Sequence, residues 1–214
     1  LRGPSQVRDA SRVVRLYWTI RLPTGVEQTT ISPDMHVYPN LVAESRAFSG
    51  VAMYSTAGRF VRIGEGDDTR LISQASATAN LVSVLGARLE LGRFFTLEEQ
   101  ELAPPVVVLG YELWRTEFGA DPGILDRTIR LSDRPYTVVG VVPAGFTGAE
   151  LERVDVWVPQ RAPLGPAARQ WGNAYMSGPR MIARLKPGVT FDEASDDATR
   201  AHQRTYNGTP RPTR

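Results

Sequence analysis

The 214-residue chain contains no cysteine. That excludes a disulfide framework and any thiolate metal site, and it is compatible with either side of a membrane. Lysine is nearly absent: Lys186 is the single lysine among 25 basic residues. A nucleotide-hydrolysing P-loop needs a lysine after its second glycine, followed by serine or threonine. Lys186 is followed by Pro187, so that loop is excluded. His36 and His202 are the only histidines and have no partners at metal-ligand spacing, whereas a zinc site takes three or four protein ligands. No apolar run approaches the roughly 20 residues that span a bilayer. No signal-peptide core follows Leu1-Arg2-Gly3-Pro4-Ser5. The chain therefore reads as a soluble piece of a longer protein.

Other signatures are missing too. There is no G-x-S-x-G elbow of a hydrolase. Gly64-Glu65-Gly66 lacks the third glycine of a dinucleotide fingerprint, since Thr69 stands there, and Glu65, Asp67 and Asp68 would repel a pyrophosphate. A turn explains it better. Glu98, Glu99 and Glu101 resemble an acid/base or calcium cluster, but they follow Thr96, and acids at a helix N-terminus are favoured by the helix dipole. Asn207-Gly208-Thr209 matches a glycosylation acceptor, a three-residue pattern common by chance.

What is present suits a globular protein: one large domain or two intergrown subdomains, able to bury roughly 70% of the unfolded surface. The net charge of +2 is too small to indicate nucleic acid, and no arginine–aromatic interleaving points to it. The charge is unevenly spread. Residues 1–21 carry five arginines against Asp9, a net of +4, and residues 200–214 carry four arginines and no acid, again +4, leaving −6 between them.

The patterning mixes strands and helices. Val14, Leu16, Trp18 and Ile20 alternate with polar residues, which marks a one-sided strand, and Val26–Ile31 can form a hairpin with it. Pro39 suits the first turn of a helix carrying Leu41, Ser45 and Phe48, with Gly50 as its stop. Strands are expected at 51–56, 59–63 and 69–77. A short helix over 78–85 is capped by Gly86 in a left-handed conformation. Thr96 and Glu99 form a capping box. Val106–Leu109 is apolar enough to be buried on both faces. A helix over 112–118 ends at Gly119, and 128–131 pairs with 136–142 as a hairpin. Gln160–Gly178 reads as a long exposed loop rich in proline and glycine. A strand over 181–185 leads to a second capping box, Thr190/Glu193, and a helix with Phe191, Ala194, Ala198 and Ala201 on one face. This helix and the one near 39–47 are expected on one face of a sheet holding strands 13–20 and 180–185. Trp18, Trp114 and Trp157 sit in apolar patterns and read as core. Trp171, in the long loop, is a candidate partner contact.

Several of these blocks together carry a resemblance. Leu85-Gly86, Gly92-Arg93-Phe94-Phe95, Val108-Leu109-Gly110-Tyr111 with Trp114, and Phe118-Gly119-Ala120-Asp121-Pro122 come first. Val138–Pro143 with Gly145-Phe146, Asp155–Pro159 and Ala183–Thr190 follow. In this order and spacing, over about residues 12–204, they resemble the periplasmic core domain of MacB/FtsX-like permeases, in its MacB-like orphan branch. The resemblance implies an α+β fold: a porter-like α+β subdomain from 1–80 with 160–214, and an inserted β-rich subdomain from 81–159. It implies a non-enzymatic domain without cofactor or metal, on the extracytoplasmic (periplasmic) side of the bacterial cytoplasmic membrane, between transmembrane helices of the same permease. A cytoplasmic ATPase subunit or domain supplies the energy, and partners can include a periplasmic adaptor or another envelope protein. The family's closing strand after the last helix is not evident in residues 206–214. Both ends of the segment would lie near the membrane, which makes Arg2, Arg8, Arg12, Arg200 and Arg204 candidate membrane-proximal residues facing anionic headgroups. Two other readings stay open: an extracytoplasmic ligand-binding or sensing module, which needs a concave apolar pocket, and an envelope hydrolase, which needs clustered perturbed titratable groups.

Overall fold

The structure, a computed structural model, describes residues 7–21, 24–30, 37–56, 60–64, 69–132, 134–150, 152–160 and 179–207. Arg2, His36, Trp171 and nearly all of the 160–178 loop lie outside the described residues.

Three strands make one layer. β1 (Val13–Arg15), β12 (Arg180–Leu185) and β4 (Phe48–Ser55) lie in the order β1-β12-β4, with β12 antiparallel to both neighbours. Alternation along them makes two apolar faces. Val14, Phe48, Val51, Met53, Met181, Ala183 and Leu185 join one core cluster with residues of α1 (Val37–Glu44) and α5 (Phe191–Asn207). Ala52, Tyr54 and Ile182 turn the other way, onto α2 (Leu81–Leu85). The two long helices thus share one face of the layer, as their apolar stripes require. α5 starts at its expected capping box: the Thr190 N–H donates to Glu193 (2.8 Å) and the Glu193 N–H to Thr190 (3.3 Å).

Beyond β4 the sheet continues into a second part through β6 (Arg70–Ala77), β11 (Val156–Pro159), β8 (Val106–Leu109), β10 (Arg134–Val141), β9 (Thr128–Leu131) and β5 (Phe60–Ile63). β5 pairs with β9 at Ile63 and Leu131, and also with β6 over four residue pairs. The six strands therefore close on themselves as a small barrel. Ile63, Ile72, Val107, Leu109, Ile129, Leu131, Tyr136, Val138, Val156 and Val158 form one cluster, into which α4 (Tyr111–Glu117) inserts Leu113 and Trp114. The alternate residues Val106, Val108 and Trp157 face the outer cluster beside α2. A register shift between Val138 and Gly140 turns Val139 outward while Val138 and Val141 both face inward. β7 (Leu91–Gly92) crosses β10 at Gly140, where a Cβ would collide with the Arg93 carbonyl oxygen. That close approach accounts for glycine there.

Three expectations are corrected. The strand over 13–20 is broken: β2 (Trp18–Arg21) leaves the main sheet and pairs with β3 (Glu27–Thr30) in a separate two-stranded ribbon. The reason is the length of its neighbour. The Leu16 N–H bonds the Met181 carbonyl, and β12 begins one residue earlier, at Arg180, so the next backbone groups need another partner. Gly50 does not end α1, which stops at Glu44; it lies in β4 opposite Arg184, and Val84 of α2 packs 3.0 Å from where its Cβ would sit. Phe191 is 66% exposed rather than on the buried stripe of α5, which consists of Ala194 and Ala201 with Ala198 beside them.

The boundary between 1–80 with 160–214 and 81–159 runs through this continuous sheet. β5 and β6, from the first set of residues, are barrel staves, and α2, from the second, packs on β4.

Candidate functional site

Arg8 and Arg12 come together at the C-terminal end of α2. The Arg8 N–H donates to the Leu85 carbonyl at 3.1 Å. The Arg12 guanidinium donates twice to the Leu185 carbonyl, at 2.6 and 3.0 Å, and pairs with Asp9 at 3.3 Å. Arg184, not singled out from the sequence, completes the group. It donates to the Val84 carbonyl at 2.6 Å and the Arg8 carbonyl at 2.7 Å. Cations suit the exposed carbonyls at a helix C-terminus. Burial and then Arg12 push the Arg184 guanidinium below its ordinary pKa, with Asp9 opposing and Arg8 adding.

Arg200 and Arg204 lie elsewhere. Arg12 binds Leu185, where β12 turns into α5, whereas these two stand on later turns of that helix. At 1.5 Å per residue, Arg200 is roughly 14 Å and Arg204 roughly 20 Å from Phe191 along the axis. Arg200 pairs with Asp197 at 3.5 Å and Arg204 with Glu44 at 2.9 Å. The four described candidates therefore form two groups, Arg8 and Arg12 near the β12–α5 turn and Arg200 and Arg204 along the middle and later turns of α5.

A second cluster had no signal in the sequence. One carboxylate oxygen of Glu150, in the β10–β11 connection, accepts from the Tyr54 hydroxyl at 2.6 Å, Arg180 at 2.6 Å and Arg15 at 3.1 Å. Arg15 also donates to the Ala149 carbonyl at 2.8 Å and Arg180 to Thr56 at 3.3 Å. Burial alone would raise the pKa of Glu150, but Tyr54 and the two guanidiniums outweigh it and hold the acid below the usual glutamate range. Burial and then the Glu150 carboxylate push the Tyr54 phenol up. These shifts describe a permanently ionised clamp rather than a proton donor poised near neutrality.

A groove of about 430 Å³ lies between the β1–β2 segment and α5. Val14, Leu16, Trp18, Phe48, Ala194 and His202 are among its walls, and Trp18 and His202 face each other with ring centroids 6.4 Å apart. The exposed Tyr17 and Phe191 stand among its lining residues. Among the described residues no strand pairs with the outer edge of β1, and no group of three or more acidic, histidine or cysteine side chains is placed to hold a metal. No helix among them is long and apolar enough to cross a membrane. Ser73 and Asp155 bond each other but serve the fold, tying β6 to the start of β11.

This fold is shared with several solved structures. A domain of a putative permease from Porphyromonas gingivalis superposes with a TM-score of 0.65 at 18% identity, over 91% of this chain and 84% of that one. The periplasmic region of MacB from Actinobacillus actinomycetemcomitans gives 0.58 at 16% identity, over 80% and 73%. The extracellular domain of the noncanonic ABC-type transporter YknZ from Gram-positive bacteria gives 0.59 at 11% identity, over 91% and 95%. No curated protein matches the chain at a significant level. The model of the MacB-like periplasmic core domain matches residues 4–201, and the chain belongs to that family. It is the periplasmic domain of a MacB-like ABC transporter permease, of a kind that works with an ATPase, and membership implies the extracytoplasmic side. The family is one of transporter domains, not an enzyme family.

Proposed function

We propose that this domain carries ATP-driven motion from the cytoplasmic side of its permease to an exported substrate or an envelope partner. The observation behind this is the continuity of the sheet. The layer that holds β1 and α5 runs into the barrel through the β4–β6 pairing, and Glu150 ties the barrel's connection back to β1, β12 and β4. A displacement applied at the chain ends would thus reach the barrel through hydrogen-bonded strands and a packed core, which deform little. Trp171 is the proposed anchor for an adaptor or other envelope protein. Arg2, Arg8, Arg12, Arg200 and Arg204 are the proposed membrane-proximal charges.

Because the chain has no cysteine, a cysteine introduced in it is unique within this domain. In the full permease with its ATPase, a label at Thr128→Cys on the barrel should change its distance to a label in a transmembrane helix when ATP binds. Distances identical with and without nucleotide would remove this reading. The groove beside β1 supports the second reading, ligand binding or sensing, because it is concave and largely apolar. Thermal-shift screening with macrolides and peptides checks it, since a tight ligand raises apparent stability.

A further inference from the structure

The connection from Pro143 to Glu150 is a strap laid across the junction of the two parts. It leaves the end of β10 and passes over Trp157, which is fully buried. Phe146 meets the Trp157 ring edge-on at 5.7 Å and 60°, and Gly148 lies against the same indole. Gly145 (φ 73°) and Gly148 (φ 71°) bracket Phe146-Thr147 in the left-handed region, which places a swivel on either side of that aromatic. Within the strap, the Phe146 N–H donates to the Pro143 carbonyl and the Thr147 hydroxyl to the Glu150 carbonyl. Its ties to the three-strand layer run through its last two residues: Arg15 to the Ala149 carbonyl, and Tyr54, Arg15 and Arg180 to the Glu150 carboxylate.

In strand pairing the junction beneath is short. β4 pairs with β12 over six residue pairs and β6 with β11 over four, but β4 meets β6 at two, Tyr54 with Ala77 and Ser55 with Ser76. The Thr78 N–H adds a bond to the Met53 carbonyl and the Met53 N–H one to the Thr78 hydroxyl, and one buried cluster holds Ala52 and Tyr54 of the layer with Ala75, Ala77 and Trp157 of the barrel. Glu150 is fastened to the first residue of that seam.

We propose that Pro143–Glu150 is a latch. With Glu150 seated, the strap covers Trp157 and locks the barrel to the three-strand layer as one lever. With Glu150 withdrawn, the strap swings at Gly145 and Gly148 and the two-pair seam opens while each part keeps its own fold. The transport reading gives the latch a use but is not what supports it, and its test on this chain alone is indifferent to whether the permease moves with ATP.

Native-state hydrogen exchange on the 214-residue chain under increasing urea tests this without any variant. The amides of Phe146 in the strap and of Thr78, whose N–H crosses the seam to the Met53 carbonyl, should exchange through an opening with a shallower urea dependence than those of β8, β10 and β12. If they share the global slope, the latch does not exist. E150Q should then accelerate exchange at these amides at least tenfold while β8, β10 and β12 stay near the wild-type rate. Uniform acceleration over the whole chain would reduce Glu150 to an ordinary stabilising ion pair.

Discussion

Trp157 and Trp114 are both core residues, with exposures of 0% and 7%, but their indole N–H groups are not equivalent. Trp114 donates to the Asp121 carbonyl at 2.9 Å. Among the described residues no acceptor lies within reach of the Trp157 N–H. A buried donor without a partner carries a penalty of about 1–3 kcal/mol, so the shape of Trp157 and not its polarity holds it in place. Trp157→Ala should cost about 3–5 kcal/mol in urea unfolding. Trp157→Phe should cost markedly less, since it loses no hydrogen bond and keeps most of the contact with Phe146. Equal losses in the two variants would mean that the indole nitrogen has a role that the packing does not reveal. Burial of these tryptophans was legible because each sits in a locally apolar pattern. The importance of Glu150 was not: its partners Tyr54 and Arg15 are 96 and 135 residues away, and nothing around it in the sequence separates it from Glu152.

Among the elements, those with local causes followed the sequence closely. The Thr96/Glu99 and Thr190/Glu193 boxes start helices where they were expected, and Gly86 caps α2 at φ 70°. Pairings set by distant strands did not follow. Barrel closure between Ile63 and Leu131 depends on curvature that no local pattern encodes, and the break after β1 depends on where β12 begins. The docking of α5 is another long-range fact. The Asp197 carboxylate accepts from the Ser45 hydroxyl (2.5 Å) and the Arg46 and Ala47 N–H groups (2.7 and 2.9 Å), just past the end of α1. Burial alone would raise its pKa, but these donors, Ser45 first and Arg200 last, hold it below the usual aspartate range. A depressed folded-state value means that the stabilisation is complete above the unfolded value and is lost as pH falls through the lower folded one. Asp197→Ala should therefore cost about 3 kcal/mol at neutral pH, and the gap in melting temperature from wild type should narrow as pH drops below about 4. A gap that persists undiminished into strong acid would assign the loss to packing and not to the carboxylate.

At the scale of the whole molecule, the uneven charge of the sequence becomes a question of placement. Of the arginines in residues 1–21, Arg15 is matched to Glu150, whereas Arg8 and Arg12 gather near the α2 terminus with Arg184 beside them, facing one acid, Asp9. On α5, by contrast, Arg200 and Arg204 are each matched to a carboxylate. Surplus positive charge therefore concentrates at the end of the layer where β1 begins. A family member's domain works beside a membrane, and basic groups near anionic headgroups gain about 1 kcal/mol each within a Debye length. The two groups of arginines should then behave differently. The isolated chain should sediment with vesicles containing phosphatidylglycerol but not with pure phosphatidylcholine, and rising salt should release it. Arg8→Gln with Arg12→Gln should abolish most of this binding, and a melting curve checks that loss of the Arg12–Leu185 bonds has not unfolded the variant. Arg200→Gln with Arg204→Gln should leave binding nearly unchanged, because their charge is already balanced locally. Equal loss in both pairs would instead favour a single membrane-facing surface shared by both arginine groups, as the sequence alone suggests. Salt-independent binding would detach the charge asymmetry from the membrane altogether.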